Sequence, residues 1–588
     1  MHAFYKPHPY GVYPRGNIAN RTDYDQRLGT LSKLVTAITR GDEDGSNELP
    51  FLEIMQSIFS FLEVPDLCRL SRVSTGFYVL THCTDAFKEA YTMLSPKRLR
   101  YVQSWKDTAV SGYLQAAGKP FRWATADDAP GASKPTAAKK TKMERRDGGK
   151  VGKGAEGDTA VRVLPPHSPV AVRRPFFSDN LFQSWMCCIL PVDYRLHKVP
   201  AEGLPPSAEA PQKRKAPAHR RRAHADAAFP PAAEEGQAAR PKQQYTSAFK
   251  PVERRDGSQL SFEEFRREFE KPNTPVVLTH VATEWPFFKI LNEKFCNLSA
   301  EKRLLVKDAT VLDAPLRCEY TNMNLDEYVQ YAMTQKDERP IYMFDAEFGN
   351  VLDIDRLYTV PDFFARDDFF SVMGAERPKY RWIIAGPQRG GSSFHVDPNY
   401  TNAWNANLTG RKRWLLFPPG ATPPGVVPSE NMAEVATPVS LSEWLLNNYD
   451  ATVQQFRRLG YECICEPGDI MFVPSGWWHS VINLEDSVAI TQNYVSESNL
   501  SNVVKFLRYM KGSISGINED ADDATEEGTK RRQVGFAEQF ITAMERKHPA
   551  LMASVEERLQ EEHREREKRR PMALPLLEKD SEGFHFDF

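Results

Sequence analysis

Apolar positions take up helical spacing from Leu49-Pro50 onward: Phe51, Ile54, Ile58, Phe59, Phe61 and Leu62 share a stripe, Pro65-Asp66 opens a second helix, and Leu67, Leu70, Val73 and Phe77 continue the pattern. This predicts a small helical hairpin or three-helix unit over residues 47–93, after a polar lead-in over 1–46 with one helix around Tyr24–Thr39. From about Thr108 to Val170 the chain turns to Ala, Lys, Gly, Pro and Asp, and Lys139–Lys153 has almost no apolar content. Such a stretch cannot bury enough surface to offset the entropy of ordering. An aromatic island follows at 175–197, with Phe176, Phe177, Leu181, Phe182, Trp185 and Leu190. A cluster that dense is expected to pack back onto a folded domain, because left exposed it would be an adhesive patch. Residues 201–243 are again rich in Pro and Ala, so 94–245 reads as a largely disordered basic linker around one ordered segment.

The period then changes. Leu260, Phe262, Phe265 and Phe269 form a helical stripe behind Ser261, a cap with Glu264 three residues later. Short apolar runs follow at Pro275–Leu278, Tyr342–Phe344, Tyr380–Ile384, Ala403–Ala406, Arg413–Phe417, Ile470–Val473 and Ser487–Tyr494, with turn residues between them. Many short strands so punctuated predict a β-barrel or jelly roll over 246–500. The stretch Pro418–Leu459, with its Trp444-Leu445-Leu446 helix, reads as a peripheral insertion that rims an entrance. The remainder, 501–588, is helical through Val503–Met510, breaks at the acidic stretch Asn518–Glu527, and resumes with Phe536, Phe540 and Met544. Val555–Arg570 is charge-dense, a solvated helix expected to cap the barrel and do no more. The fold class is thus mainly β with α additions (α+β): a small all-α unit, a linker, a barrel and C-terminal helices.

At 588 residues the chain exceeds one core, which supports this division. A net charge of −2 names no partner class, but two local clusters, Lys213-Arg214-Lys215 and Arg220-Arg221-Arg222, read as a nuclear import signal or a contact to phosphate backbone, against the alternative of a solvated linker. No aromatic residues interleave with them, so import ranks ahead of direct nucleic-acid binding, and the nucleus ahead of the cytoplasm. The eight cysteines contain no C-x-x-C pair, which argues against a disulfide framework or a structural zinc module and fits a reducing compartment. No apolar run reaches the length of a signal-peptide core or a membrane span, so no membrane association is expected.

The chemistry concentrates at His395-Val396-Asp397. Two residues apart on an extended chain, the imidazole and the carboxylate share a face. His479 can supply a third ligand, since it follows a turn, a short strand and a second turn over Pro467–Pro474. Two histidines and a carboxylate on one face, with the other side open, suit a non-haem Fe(II) that must also hold a cosubstrate and dioxygen. By itself H-x-D is a weak signal, and the surrounding residues raise it.

Those residues are His395-Val-Asp-Pro398, Ala403-Trp-Asn405-Ala406, Gly410-Arg-Lys412-Arg-Trp414, Pro474-Ser-Gly-Trp-Trp-His479 and Ala489-Ile-Thr-Gln-Asn493. Together they resemble a JmjC domain over 258–500, of the branch that holds the Jumonji arginine demethylase and lysyl hydroxylase once called the phosphatidylserine receptor. Leu49-Pro50, Ile58-Phe-Ser-Phe-Leu62, Pro65-Asp-Leu67 and Val73-Ser74 resemble an F-box. The plant and fungal relatives that join these two modules share their order. The resemblance implies a cupin double-stranded β-helix with Fe(II) on His395, Asp397 and His479, and with 2-oxoglutarate and dioxygen at the open positions. It implies Lys412 as the cation for the far carboxylate of 2-oxoglutarate, and Asn405, Thr491, Tyr342 and Ser392 as hydrogen-bond donors to it. Ser392 stands where the relative has threonine, so a hydroxyl is kept. Trp382, Asn493 and Trp404 match positions that line or support the pocket, with Trp404 reading more as core. Because Arg411 and Arg413 alternate with Lys412, part of this basic run is expected to face outward.

The implied reaction couples decarboxylation of 2-oxoglutarate to oxidation of a substrate C–H bond. Oxidation of a side-chain carbon leaves an alcohol, and oxidation of an N-methyl releases formaldehyde. The expected substrate is a protein, such as a histone or an RNA-processing factor, with hydroxylation ahead of methyl-lysine or methyl-arginine demethylation. The F-box implies a Skp-type adaptor of a cullin ubiquitin ligase, docked through Leu49, Pro50, Ile54 and Leu62. A rival reading makes the chain an adaptor whose barrel mainly binds substrate. A cupin holding zinc is disfavoured by the matched cosubstrate residues.

Overall fold

The computed structural model describes residues 7–14, 51–94, 99–102, 104–119, 121–123, 162–164, 176–198, 245–293, 316–319, 321–429, 434–517 and 525–569. Leu49, Pro50, the helix expected at Tyr24–Thr39, Lys139–Lys153, both basic clusters and most of the acidic break lie outside the described residues.

Helices α1 (Phe51–Phe59), α2 (Val64–Leu70), α3 (Thr75–Cys83) and α4 (Ala86–Met93) form the N-terminal unit. Its helix starts follow local chemistry, with a proline in the first turn of α2 and Ser74 capping α3 through Phe77 N–H. The expected linker does not begin at 94. Helix α5 (Trp105–Ala116) occupies its first part, capped by Ser104, with Ala109 and Leu114 buried. Its apolar content sits on one face against α4, so a composition average over the whole stretch concealed it. Trp105 Nε1 donates to Asp337 Oδ1 at 2.8 Å and Tyr101 meets Tyr331 edge-on at 5.0 Å, which ties this unit to the barrel. One continuous apolar core runs from Met55, Phe59, Leu67 and Val79 to Val276, Ile383, Trp404 and Ile490 of the barrel.

The barrel is built from two sheets. In chain order its strands are β1 (Glu253–Asp256), β2 (Val276–Thr279), β3 (Leu316–Cys318), β4 (Thr321–Met323), β5 (Met343–Asp345), β6 (Arg381–Gly386), β7 (Gly391–His395), β8 (Asn402–Thr409), β9 (Lys412–Phe417), β10 (Tyr461–Cys465), β11 (Ile470–Val473), β12 (Trp478–Asn483) and β13 (Ser487–Tyr494). The major sheet runs β4-β3-β5-β6-β13-β8-β11-β2-β1 and the minor one β7-β12-β9-β10. All pairs are antiparallel except β1 with β2. Strand alternation sorts the faces: Trp404, Ala406 and Leu408 of β8 enter the outer core, leaving Ala403, Asn405 and Asn407 for the interior. The expected Ser261–Glu264 capping box is present and starts a helical turn at Phe262.

The aromatic island does pack back. Helix α6 (Asp179–Ile189), capped by Ser178, reaches α7 (Leu441–Asn447) through Gln183 Nε2 to Glu443 Oε1 at 2.8 Å. The stretch Pro418–Leu459 is not peripheral. Helices α7 and α8 (Tyr449–Phe456) cover the outer face of the minor sheet, with Trp444 against Phe394 at 4.7 Å. Arg413 faces away from the interior, as its alternation with Lys412 predicted, but it does not reach solvent. It is fully buried, paired with Glu462 at 2.5 Å under the chain at Val192–Tyr194. Arg411 is half-buried and pairs with Glu485. At the C-terminus, α9 (Leu500–Tyr509), α10 (Glu526–Lys547) and α11 (Pro549–Arg569) share a second core with Phe370, Phe540 and Met552. No described helix is long and apolar enough to cross a membrane.

Candidate active site

Strand β7 ends on His395 and β12 opens at Trp478, and the ladder sets His395 opposite His479, their ring centroids 4.2 Å apart. An irregularity between Ser392 and His395 breaks the register there, a device that re-aims a side chain. His395 Nδ1 lies 2.7 Å from Ser393 O and His479 Nδ1 lies 3.1 Å from Trp477 O. Each Nδ1–H thus donates to a backbone carbonyl, and each Nε2 is left with its lone pair facing the interior. Asp397 follows directly, with Oδ2 3.9 Å from His479 Nε2. That oxygen is buried without a hydrogen-bond partner.

Burial pushes the Asp397 carboxyl up to about 6, opposed by the charge of His395 and the amide of Asn493. Burial and His395 together hold His479 well below the usual imidazole range. One ligand atom from each of His395, Asp397 and His479 falls within 4.8 Å of the others. Two imidazole nitrogens and an orphaned carboxylate oxygen converging in this way fit a divalent metal, and the N,N,O donor set suits Fe(II).

Deeper in the barrel Lys412 is fully buried. Its Nζ donates to Tyr342 Oη at 3.0 Å, and no ion pair with it occurs among the described residues. Burial lowers the ammonium pKa to about 7 and raises that of Tyr342. A buried cation whose contact is a neutral phenol fits an incoming carboxylate. Around it, Asn405 faces Thr491 across β8 and β13, and Trp382 faces Thr491 across β6 and β13. Asn405 Oδ1 is buried with no partner, and Thr491 Oγ1 donates to Trp404 O at 2.9 Å. Asn493 Nδ2 donates to Thr401 Oγ1 at 2.8 Å. Ser392 is half-buried on β7, its carbonyl accepting from Ser480 Oγ at 3.0 Å. Trp382 stacks on the more exposed Phe344 at 5.3 Å. Trp404 lies on the outer face, stacked on Phe364 at 5.7 Å, and so belongs to the core.

Two interior residues escaped the sequence reading. Trp414 stacks on His479 at 6.0 Å, and Asn483 pairs with Lys412 in the ladder. Trp414 Nε1 and Asn483 Oδ1 are both buried without partners. Counting by twos from Lys412 and from His479 would have found them, because both rows face inward.

A carboxylate ligand paired with Lys412 would bind in a pH-dependent way. In the free protein Lys412 loses its proton as pH rises through about 7, while pairing with a carboxylate returns the pKa toward its ordinary value. Affinity for 2-oxoglutarate is therefore expected to hold below that point and to fall by up to about tenfold per pH unit above it. Anaerobic equilibrium dialysis across that range measures it, and a slope that persists in Lys412→Met would reject the assignment.

Comparison with known proteins agrees with this architecture. A cupin-like domain family matches residues 262–499 and an F-box-like family matches 48–91. Among curated proteins, the chain is 43% identical over 313 residues to the arginine-specific demethylase JMJ22 of Arabidopsis thaliana, covering 53% of this chain and 57% of that one. It is 35% identical over 260 residues to the bifunctional arginine demethylase and lysyl-hydroxylase psr-1 of Caenorhabditis elegans, covering 42% and 62%. A third match, 36% over 161 residues, is the 2-oxoglutarate and iron-dependent oxygenase JMJD4 of Mus musculus, covering 27% and 36%. The chain thus spans less than two thirds of the length of these relatives.

Proposed function

We propose that this chain, which joins an F-box-like unit to a cupin-like domain of the JmjC kind, is an Fe(II)- and 2-oxoglutarate-dependent dioxygenase acting on a protein. The observation that carries the reading is the meeting of His395, Asp397 and His479 in one interior that also holds Lys412 without a counter-charge. With iron and 2-oxoglutarate bound, the site would use dioxygen for oxidative decarboxylation to succinate and CO2, one oxygen atom going to succinate and the other to a substrate C–H bond. The chain's own residues do the rest. The Nδ1 bonds to Ser393 and Trp477 fix both rings, so the ligand set needs little rearrangement to load. Lys412 and Tyr342 anchor the far carboxylate, Asn405, Thr491 and Ser392 supply hydrogen bonds around it, and Asn493 supports the pocket through Thr401 and Asp397. Trp414 and Trp382 help keep the interior dry, which strengthens each of these contacts.

Side-chain hydroxylation is the leading reaction. Demethylation is the second reading, favoured by the coverage of the match to a protein named as an arginine-specific demethylase. Succinate formed by the purified full chain from 2-oxoglutarate and Fe(II) tests the activity. His395→Ala and Lys412→Ala should each reduce it to background, and turnover unchanged in both would reject the site. With histone or RNA-processing-factor peptides as substrates, a gain of one oxygen marks hydroxylation and released formaldehyde marks demethylation.

The F-box-like unit is proposed to dock a Skp-type adaptor. Ile58, Phe61 and Val73 are exposed on it at 39%, 85% and 68%, apolar side chains left uncovered by the described residues. Leu62, expected at the contact, is half-buried against the core and serves to hold the hairpin. The Ile54 side chain lies outside the described atoms, as do Leu49 and Pro50. Phe61→Asp should abolish co-purification of the adaptor without lowering succinate formation, and adaptor retained by this variant would remove the assignment.

A further inference from the structure

The turn that follows Asp397 is held in a conformation that its sequence does not favour. Asn399 and Tyr400 both have φ of 55°, and neither is glycine. Asparagine tolerates left-handed backbone, but a bulky residue such as Tyr400 does not, and two in succession persist only where the surroundings over-determine them. Here they do. Asn399 is buried, and its amide is used twice on one residue: Nδ2 donates to Ser515 O at 3.0 Å and Oδ1 accepts from Ser515 N at 3.1 Å. The Tyr400 carbonyl accepts from Ser475 Oγ at 2.7 Å and Asn499 Nδ2 at 3.1 Å. Ser475 stands four residues before His479, so this contact joins the loops of two metal-ligand candidates.

Ser515 belongs to a strap, Gly512–Gly516, between α9 and α10. At one end Gln533 of α10 donates to the carbonyls of Gly512 at 3.2 Å and Ile514 at 2.8 Å, and Ile514 is buried in the C-terminal core. At the other, the Gly516 carbonyl accepts from Lys379 N at 2.7 Å, next to Tyr380, whose own carbonyl accepts from Asn493 N at 2.6 Å. The Asn493 amide in turn meets the Asp397 carboxylate. Asp397 is thus braced from two sides by one segment of the C-terminal region.

We propose that Asn399 is a positioning residue for the Asp397 ligand, acting through its paired hydrogen bonds to Ser515, and that the strap Gly512–Gly516 makes the C-terminal helices a working part of the metal centre. This rests on the reading of His395, Asp397 and His479 as metal ligands. Asp397 Oδ2 has no hydrogen bond of its own, so the carboxylate is aimed by the Asn493 amide on one side and by the backbone that follows it on the other. Releasing the amide clamp lets that turn relax toward ordinary dihedrals and swings the carboxylate away from the two imidazoles.

The test uses Co(II) as the probe on the full-length protein, reading its dissociation constant and its visible absorption. Asn399→Ala is expected to weaken Co(II) by about tenfold or more and to shift the absorption bands, as losses of outer-shell partners do. Asn399→Gly is expected to do the same, although glycine adopts a φ of 55° without strain and so keeps the fold where alanine would not. Both variants binding Co(II) with the affinity and spectrum of the unaltered chain would overturn the proposal. Asp397→Ala binding as well as the unaltered chain would instead remove Asp397 as a ligand, and the clamp's role with it, without reference to either Asn399 variant.

Discussion

Asp397→Ala should empty the metal centre and, in the same protein stripped of metal, raise the melting temperature. The two effects have one cause. Asp397 Oδ2 is buried and unpartnered, and burial outweighs the Asn493 amide that meets the carboxylate, so the group costs stability until a cation joins it. Loss of a ligand should weaken Fe(II) by at least the roughly 10–100-fold that outer-shell changes cause. Removing an unsatisfied buried acceptor should return about 1–3 kcal/mol, a rise of roughly 2–12 °C for a domain of this size. The pH dependence fixes the sign. The folded-state pKa is raised to about 6, so the penalty applies in full above that value and fades as pH falls toward the ordinary carboxylate range. The gain should therefore appear near pH 8 and vanish near about pH 4. Thermal melts of chelator-treated protein at both pH values measure it. A variant that melts lower than the parent near pH 8 would show that the Asn493 contact outweighs the cost of burying the carboxylate.

The largest loss of stability from one substitution is expected at Arg413, which touches neither metal nor cosubstrate. Its guanidinium and the Glu462 carboxylate are 0% and 1% exposed. Arg413 Nε donates to Glu462 Oε1 at 2.5 Å and Nη1 donates to Tyr194 O at 2.7 Å. Glu462 also accepts from Tyr449 Oη at 2.9 Å and from Ser247 Oγ. One pair therefore joins β9, β10, α8 and the two segments that flank the linker. Arg413→Ala leaves a carboxylate buried with only hydroxyl partners, at a cost of about 3–5 kcal/mol. Lysine should not rescue it, since a single ammonium cannot reproduce the forked donors. Replacing both residues by Met and Leu should cost less than either single change, because no charge is then stranded. Urea unfolding of the single and double variants decides this, and an Arg413→Ala change within about 1 kcal/mol of the parent would mean that water reaches the pair.

The shared direction of His395 and Asp397 and most of the strands were legible because their signals are local. His395 and Asp397 share a face through strand alternation alone, and runs such as Ile470–Val473 and Ser487–Tyr494 begin and end where their turn residues say. Helix α5 was missed for the opposite reason: its buried positions are few, and the unstructured composition beyond it outweighed them. Trp414 and Asn483 needed only the same alternation carried further along their strands.

What the sequence by itself determined, then, is which side chains share a face, because that follows from the geometry of a single strand or helix. It could not decide what lies on the other side of that face. Lys412 and Arg413 are adjacent, both basic and both fully buried, one in the barrel interior and one beneath the Val192–Tyr194 segment. Nothing within the strand announces that cover. Ser515 likewise gives no sign that it holds Asn399. Whether a polar group is solvated, paired or left waiting for a ligand depends on segments far away in sequence, and only tertiary packing brings those segments into contact.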